Sequence, residues 1–160
     1  MELENITNPF ELFEKWFKRA KEVNNFDPTA MVLSTVNSKM QPSSRVVLLK
    51  SYDKEGFCFF TNFKSRKAQE ISHNPLASLC FYWGSLGRQV RIEGFIVKLS
   101  EEESRDYFKQ RPRESQIGAW ASLQSSNLSN YSELIKNFEE FKEKFKDMDV
   151  PKPDFWGGYR

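Results

Sequence analysis

Phe10, Phe13, Trp16, Phe17, Ala20 and Val23 recur at the 3.6-residue period, predicting an amphipathic helix with Asn8 as N-cap and Pro9 at its first position. The period then shortens to that of strands. Met31 to Val36, a polar turn at Asn37-Ser38-Lys39, and Arg45 to Tyr52 read as a β-hairpin. Val46 to Leu49 is an apolar run with β-branched residues and no Gly or Pro, so it is expected to be packed on both faces. Asp53-Lys54-Glu55-Gly56 turns the chain into a strand from Phe57 to Thr61, and a short helix capped by Ser65 ends before Asn74-Pro75. Leu76 to Trp83 and Arg88 to Leu99 form a second hairpin around Gly84-Ser85-Leu86-Gly87. Alternation sets Gln89, Arg91 and Glu93 on one face of its second strand, with Val90 and Ile92 on the other.

Five strands in meander-like succession predict a small antiparallel barrel. Ser100-Glu101-Glu102-Glu103 is a capping box opening a helix that Pro112 ends. Gln116 to Trp120 and Gln124-Ser125-Ser126-Asn127 read as a polar segment rich in donors. A last helix, from about Ser132 to Lys146, turns Leu134, Phe138, Phe141 and Phe145 inward before Pro151 and Pro153 break it. Trp156-Gly157-Gly158-Tyr159-Arg160 reads as the opening of a strand whose backbone groups need partners from elsewhere.

With 160 residues the chain has the size of one domain, and 24 Lys and Arg against 22 Asp and Glu leave a charge of +2, with no global field for nucleic acid or an anionic membrane. Anion recognition must therefore be local. Cys58 and Cys80 each sit inside an apolar strand and read as free thiols in a reducing compartment. No apolar run approaches the roughly 20 residues of a membrane span, and Met1-Glu2-Leu3-Glu4 is unlike a signal peptide, so the expected location is cytoplasmic. The one histidine, His73, falls in a helix exit turn and reads as a surface residue. No spacing fits a hydrolytic triad, a metal site, a Walker loop or a Rossmann fingerprint. An enzyme built on this sequence would leave the chemistry to a bound cofactor.

Two groups of residues point to anions. Arg45 and Lys50 bracket the apolar run, while Lys64, Arg66 and Lys67 cluster at a helix N-terminus, where cations oppose the macrodipole unless an anion binds. Arg45, Lys50, Arg66 and Lys67, with Ser65 and Thr61 as neutral donors, thus form either a phosphate site or a solvated basic patch. Tyr107 and Arg111 share a helix face at i, i+4 and precede Ser115. They could hold a phosphate or carboxylate, or be a surface cation packed on a ring. Arg45 and Lys50 lie five residues apart, so strict alternation gives them opposite faces and different tasks.

From about residue 9 to its end the sequence resembles the pyridoxine/pyridoxamine 5′-phosphate oxidase family. The resemblance rests on Arg45-Val-Val-Leu-Leu-Lys50, Phe60-Thr-Asn62, Ser65-Arg-Lys67, Arg88-Gln89-Val90, Arg111-Pro-Arg-Glu-Ser115 with Gln-Ile-Gly-Ala-Trp120, Gln124-Ser-Ser126 and Phe155-Trp-Gly-Gly-Tyr159, in that order. It implies an α+β, mainly antiparallel split β-barrel with flanking helices, a homodimer with FMN at the subunit interface, and oxidation of the B6 phosphates by oxygen. Carried over by position, Arg45, Val46, Val47, Leu48, Leu49, Lys50, Phe60, Thr61, Arg66, Lys67, Gln89, Gln124 and Ser125 match FMN-binding positions. Lys50, Tyr107, Arg111 and Ser115 match substrate-binding positions. No residue matches a catalytic base. Phe60 stands where the family often has Tyr. The family pattern also starts with a longer segment over the substrate and runs on into further strands, which add a Trp, an Arg and an Arg-x-His. Residues 1–160 are thus expected to form one FMN-binding domain without those C-terminal strands. Three readings stay open: a working oxidase, a protein that binds flavin or B6 phosphate without turnover, and a small nucleic-acid-binding barrel, which the near-neutral charge disfavours.

Overall fold

Asn8 caps helix α1 (Pro9–Val23), its side chain accepting from the Phe10 N–H at 3.0 Å. The computed structural model describes residues 7–23, 26–122, 124–125, 127–128 and 130–160. The N-terminal Met1 to Glu4 and Ser126 of the donor-rich segment lie outside the described residues. Phe13, Phe17 and Ala20 of the apolar stripe are buried. Phe13 meets Tyr52, Phe57 and Phe81 edge-on, with centroids 4.9, 5.0 and 5.3 Å away, in the larger of two apolar clusters.

The strands are β1 (Ala30–Val36), β2 (Pro42–Leu48), β3 (Ser51–Asp53), β4 (Gly56–Asn62), β5 (Leu76–Trp83), β6 (Arg88–Phe95) and β7 (Trp156–Tyr159). They form an antiparallel sheet of order β2-β1-β5-β6 and a second of order β3-β4-β7. Helix α2 (Arg66–His73) follows β4, and α3 (Glu101–Gln110), α4 (Arg113–Ala121) and α5 (Tyr131–Lys144) separate β6 from β7. The architecture is thus α+β with antiparallel sheets, as expected, but its layout differs from a five-stranded meander.

The strand expected from Arg45 to Tyr52 is two strands in two sheets. The Leu49 N–H bonds to the Thr29 carbonyl at 2.8 Å, while the next N–H, that of Lys50, bonds to the Cys58 carbonyl at 2.8 Å. The chain changes sheets between adjacent residues. Nor is the run Val46 to Leu49 packed on both faces. Val47 and Leu49 point to the core, but Val46 is 64% exposed, because none of the described residues covers the outer face of the four-stranded sheet there.

The strand expected from Arg88 to Leu99 stops at Phe95, because the residues beyond it serve β7 instead. Val97 and Arg160 exchange N–H···O bonds of 2.8 Å, and the Leu99 N–H reaches the Gly158 carbonyl at 3.0 Å. On its other edge β7 pairs with β4 from Asn62↔Trp156 to Phe59↔Tyr159. The expectation that Trp156 to Arg160 must find partners elsewhere is therefore corrected: the chain itself pairs this strand on both sides.

Gly157 lets α3 lie close on β7. A Cβ at Gly157 would stand 2.6 Å from Phe63 Cζ and 3.0 Å from Ser104 Oγ. The Ser104 hydroxyl instead accepts from the Gly158 N–H at 3.2 Å. The Ser100 capping box is present. The polar segment expected over Gln116 to Trp120 is in fact helix α4. Its Ile117 joins Phe108, Phe145, Val150 and Trp156 in the second apolar cluster. Tertiary burial makes this helix, since Pro112 at its start offers no side-chain cap.

Candidate active site

Between the β2 edge, the face of β4 and the α3–α4 corner lies a cleft of about 700 Å³. Val46, Val47 and Leu48 form one wall, and Lys50 enters from the point where the chain changes sheets. Phe60, Thr61, Asn62 and Trp156 come from the β4–β7 pair, and Tyr107, Arg111 and Ser115 from the corner. Lys67 of α2 and Gln124 close the far end. Lys50, Lys67 and Arg111 therefore share one cleft, and no carboxylate is among its described lining residues.

Lys67 is 7% exposed and its Nζ has neutral partners: Gln124 Oε1 at 3.1 Å, Thr61 Oγ1 at 3.2 Å and Ser65 Oγ at 3.3 Å. Thr61 also donates to Gln124 at 2.8 Å. Burial, and then the Arg45 charge, lower the Lys67 pKa. A buried ammonium held only by neutral oxygens carries a desolvation cost that an anion would offset. Ser65 is the N-cap by position, but its side chain makes no cap hydrogen bond and serves Lys67 instead.

The second cation is held by rings. The Arg111 guanidinium carbon lies 4.7 Å from the Trp156 ring centroid and 5.6 Å from that of Phe108, and Nη1 is buried without a hydrogen-bond partner. Burial lowers the Arg111 pKa against the opposing effect of Tyr107, and burial raises that of Tyr107. Tyr107 stacks on Phe60 with centroids 3.9 Å apart, and Phe60 stacks on Trp156 at 5.2 Å. Gly158 opposite Phe60 leaves room for this column. Every orphaned or neutral-paired donor here fits a phosphate.

Arg45 and Arg66, grouped with the anion ligands by sequence, turn to a carboxylate beside the cleft. Glu70, 4% exposed, accepts from Thr35 at 2.5 Å, Ser43 at 2.7 Å, Arg45 Nη2 at 3.0 Å and Arg66 Nε at 2.9 Å. Burial alone would raise the Glu70 pKa, but these bonds outweigh it and hold it at about 2. Arg45 also donates to the Leu33 carbonyl at 3.2 Å. Arg45 and Lys50 thus face different surroundings.

The sequence matches the family model described as pyridoxamine 5′-phosphate oxidase over residues 19–145. The chain belongs to that family. A relative from Hydrogenovibrio crunogenus named pyridoxine/pyridoxamine 5′-phosphate oxidase 2 is 52% identical over 95% of this chain and 71% of its own length. One from Crocosphaera subtropica, named pyridoxine/pyridoxamine 5′-phosphate oxidase, is 53% identical over 96% of this chain and 72% of its own. Among solved structures, PhzG from Burkholderia lata, crystallised with tetrahydrophenazine-1-carboxylic acid, superposes with a TM-score of 0.90 at 30% identity, covering 98% of this chain and 77% of that one. A pyridoxamine 5′-phosphate oxidase-related, FMN-binding protein from Nostoc punctiforme, 13% identical, shares the fold at a TM-score of 0.76, covering 97% of this chain and 80% of its own.

Of the residues matched to the oxidase family by position, Val46, Val47, Leu48, Lys50, Phe60, Thr61, Lys67, Gln124, Tyr107, Arg111 and Ser115 line the cleft. Leu49 is in the core. Ser125 is exposed, with φ at 67°. Gln89 lies on β6, at the opposite edge of the four-stranded sheet from β2, outside this cleft. Sequence reasoning missed Trp156 and Glu70 as parts of the site. Trp156 stood inside a recognised block, and Glu70 could have been found as the only acid on a helix whose first turn carries two cations.

Proposed function

We propose that the chain is an FMN-dependent oxidase that converts pyridoxine 5′-phosphate or pyridoxamine 5′-phosphate to pyridoxal 5′-phosphate, oxygen taking the electrons from the reduced flavin. It works in the cytoplasm as a homodimer with the flavin between subunits. The observation that carries this reading is that buried Lys67 at the α2 end and half-buried Arg111 at the α3–α4 corner share one cleft with no carboxylate among its described lining residues. Two phosphates, one on the cofactor and one on the substrate, match two such cations. Family membership supports the same assignment.

Lys67, Thr61 and Gln124 would hold the FMN phosphate, and the apolar edge Val46 to Leu48 would wall the ring system. Arg111, Tyr107, Ser115 and Lys50 would hold the substrate phosphate. FMN, when bound, supplies a two-electron acceptor for the hydride leaving the substrate carbon that becomes the aldehyde. The chain's own contribution is to bind and orient, since the described lining holds neither a carboxylate nor a histidine to act as base. Gln89 joins the site only from a second copy. The outer sheet face, where Val46, Val32 and Tyr82 are 64%, 38% and 73% exposed, is the surface that copy would cover.

The test is an anaerobic visible spectrum of the FMN-reconstituted protein before and after pyridoxine 5′-phosphate is added. Bleaching of the bound flavin is expected. A perturbed spectrum that does not bleach would make this a cofactor-binding protein without turnover, and an unperturbed one would end the flavin assignment.

A further inference from the structure

Arg111 has an unusual support for a half-buried cation. Its side chain has no salt bridge or hydrogen bond among the described residues, and its end is half-buried between the corner of α3 and the floor of the cleft. What it touches is aromatic: Trp156 at 4.7 Å and Phe108 at 5.6 Å. A guanidinium paired to a carboxylate would have its fork occupied and its charge neutralised. One laid on a ring face is attracted through its plane, and its N–H groups keep their full capacity toward a ligand.

Trp156 is itself held firmly. It is 6% exposed and pairs with Asn62 at the end of β4. Its ring is also wedged by Phe108, edge-on at 5.0 Å, and by Phe60, stacked at 5.2 Å. Arg111 is the C-cap of α3, at the end of that helix and immediately before Pro112, so its backbone is fixed while its long side chain is not. The indole supplies the missing constraint.

We propose that Trp156 is a positioning residue of the substrate site: its ring face holds the Arg111 guanidinium at the cleft floor and leaves its donors to the phosphate of the B6 ester. This rests on the reading of Arg111 as the substrate-phosphate anchor. Losing the clamp lets the guanidinium sample other rotamers, which weakens ground-state and transition-state binding alike. KM for pyridoxine 5′-phosphate therefore rises while kcat stays close to wild type.

The experiment is equilibrium dialysis of the FMN-loaded protein against pyridoxal 5′-phosphate, and against pyridoxal as the phosphate-free control. The proteins are wild type, Trp156→Phe, Trp156→Leu and both substitutions in an Arg111→Ala background. Trp156→Phe keeps a ring face and should weaken pyridoxal 5′-phosphate binding about threefold; Trp156→Leu should weaken it about tenfold or more. Pyridoxal binding should not change. Once Arg111 is alanine, either substitution should add less than about a twofold loss. Equal losses for pyridoxal and its phosphate, or the same loss with and without Arg111, would mean that Trp156 only packs, and overturn the clamp alone. Arg111→Ala binding as tightly as wild type would remove the anchor reading, and the clamp with it. If Trp156→Leu does not fold, Trp156→Phe and its double variant decide between the same outcomes.

Discussion

Lys67 Nζ lies 3.1 Å from Gln124 Oε1, a contact that joins the first turn of α2 to the segment after α4 without any negative charge. Lys67→Met removes a buried charge and leaves Thr61 bonded to Gln124. The flavin-free protein should melt about 2 to 4 °C higher, as relief of about 1 kcal/mol would produce. FMN affinity, read by quenching of flavin fluorescence, should fall about 100-fold through loss of a charge-assisted phosphate contact.

Arg111→Ala should act on the other phosphate. Binding of pyridoxal 5′-phosphate is expected to weaken about 100-fold while FMN binding changes less than about threefold. Equal losses of both ligands would show one anion site rather than two.

The Glu70 carboxyl titrates at about 2 in the folded chain, below its ordinary 4.5. Between those values the unfolded chain binds the extra proton, so stability rises with pH and is lost as pH falls. The contribution is whole above about pH 4.5 and is lost on descent toward pH 2, to the extent of about 2 kcal/mol after allowance for solvent screening. Urea unfolding followed between pH 6 and pH 3 would register that slope. In Glu70→Gln the slope should flatten, and the neutral-pH stability should already be lower.

Two glycines should respond with opposite signs. A Cβ on Gly158 would fall 2.5 Å from Leu99 Cδ1 and 2.8 Å from Phe60 Cε1, so Gly158→Ala should cost about 1 to 3 kcal/mol and disturb the Phe60–Tyr107 stack. Gly118, within α4, has nothing within 4 Å of a new Cβ. Gly118→Ala should stabilise by up to about 1 kcal/mol. Denaturant midpoints of the two variants measure both effects.

In the proposed dimer, Gln89→Ala and Lys67→Met would each damage a different subunit's contribution to one flavin site. Co-expressed, the two variants should yield mixed dimers in which one of the two sites is intact. FMN titration should then recover about one quarter of wild-type tight sites, half a site's worth from the mixed half of the population. Half of the sites remaining tight would place Gln89 outside the flavin site, and no tight sites at all would mean that Gln89 and Lys67 act within one copy.

The α1 stripe and the capping box of α3 were legible because their signals are local: a 3.6-residue repeat, and a hydroxyl three residues before a carboxylate. Tyr107 and Arg111 were legible for the same reason. The break between Leu49 and Lys50 was not, because no side chain marks it; only the distant carbonyls of Thr29 and Cys58 decide which sheet each N–H joins. Glu70 went unread because its role depends on Thr35, Ser43 and Arg45 from two other strands as well as on Arg66 four residues before it. Helix α4 stayed hidden because nine residues with a single glycine, a weak cap and few large apolar groups carry little periodicity.

Strand β7 has a consequence for how the protein is made. It pairs with β4 across more than half of the chain, from Asn62 to Trp156, and it brings in the indole under Arg111. Contacts of such long sequence separation are closed late and slowly, after local hairpins and helices have formed. On a ribosome Lys67 and its helix emerge well before Trp156 does. The two ends of the cleft can therefore be joined only after synthesis has passed β7.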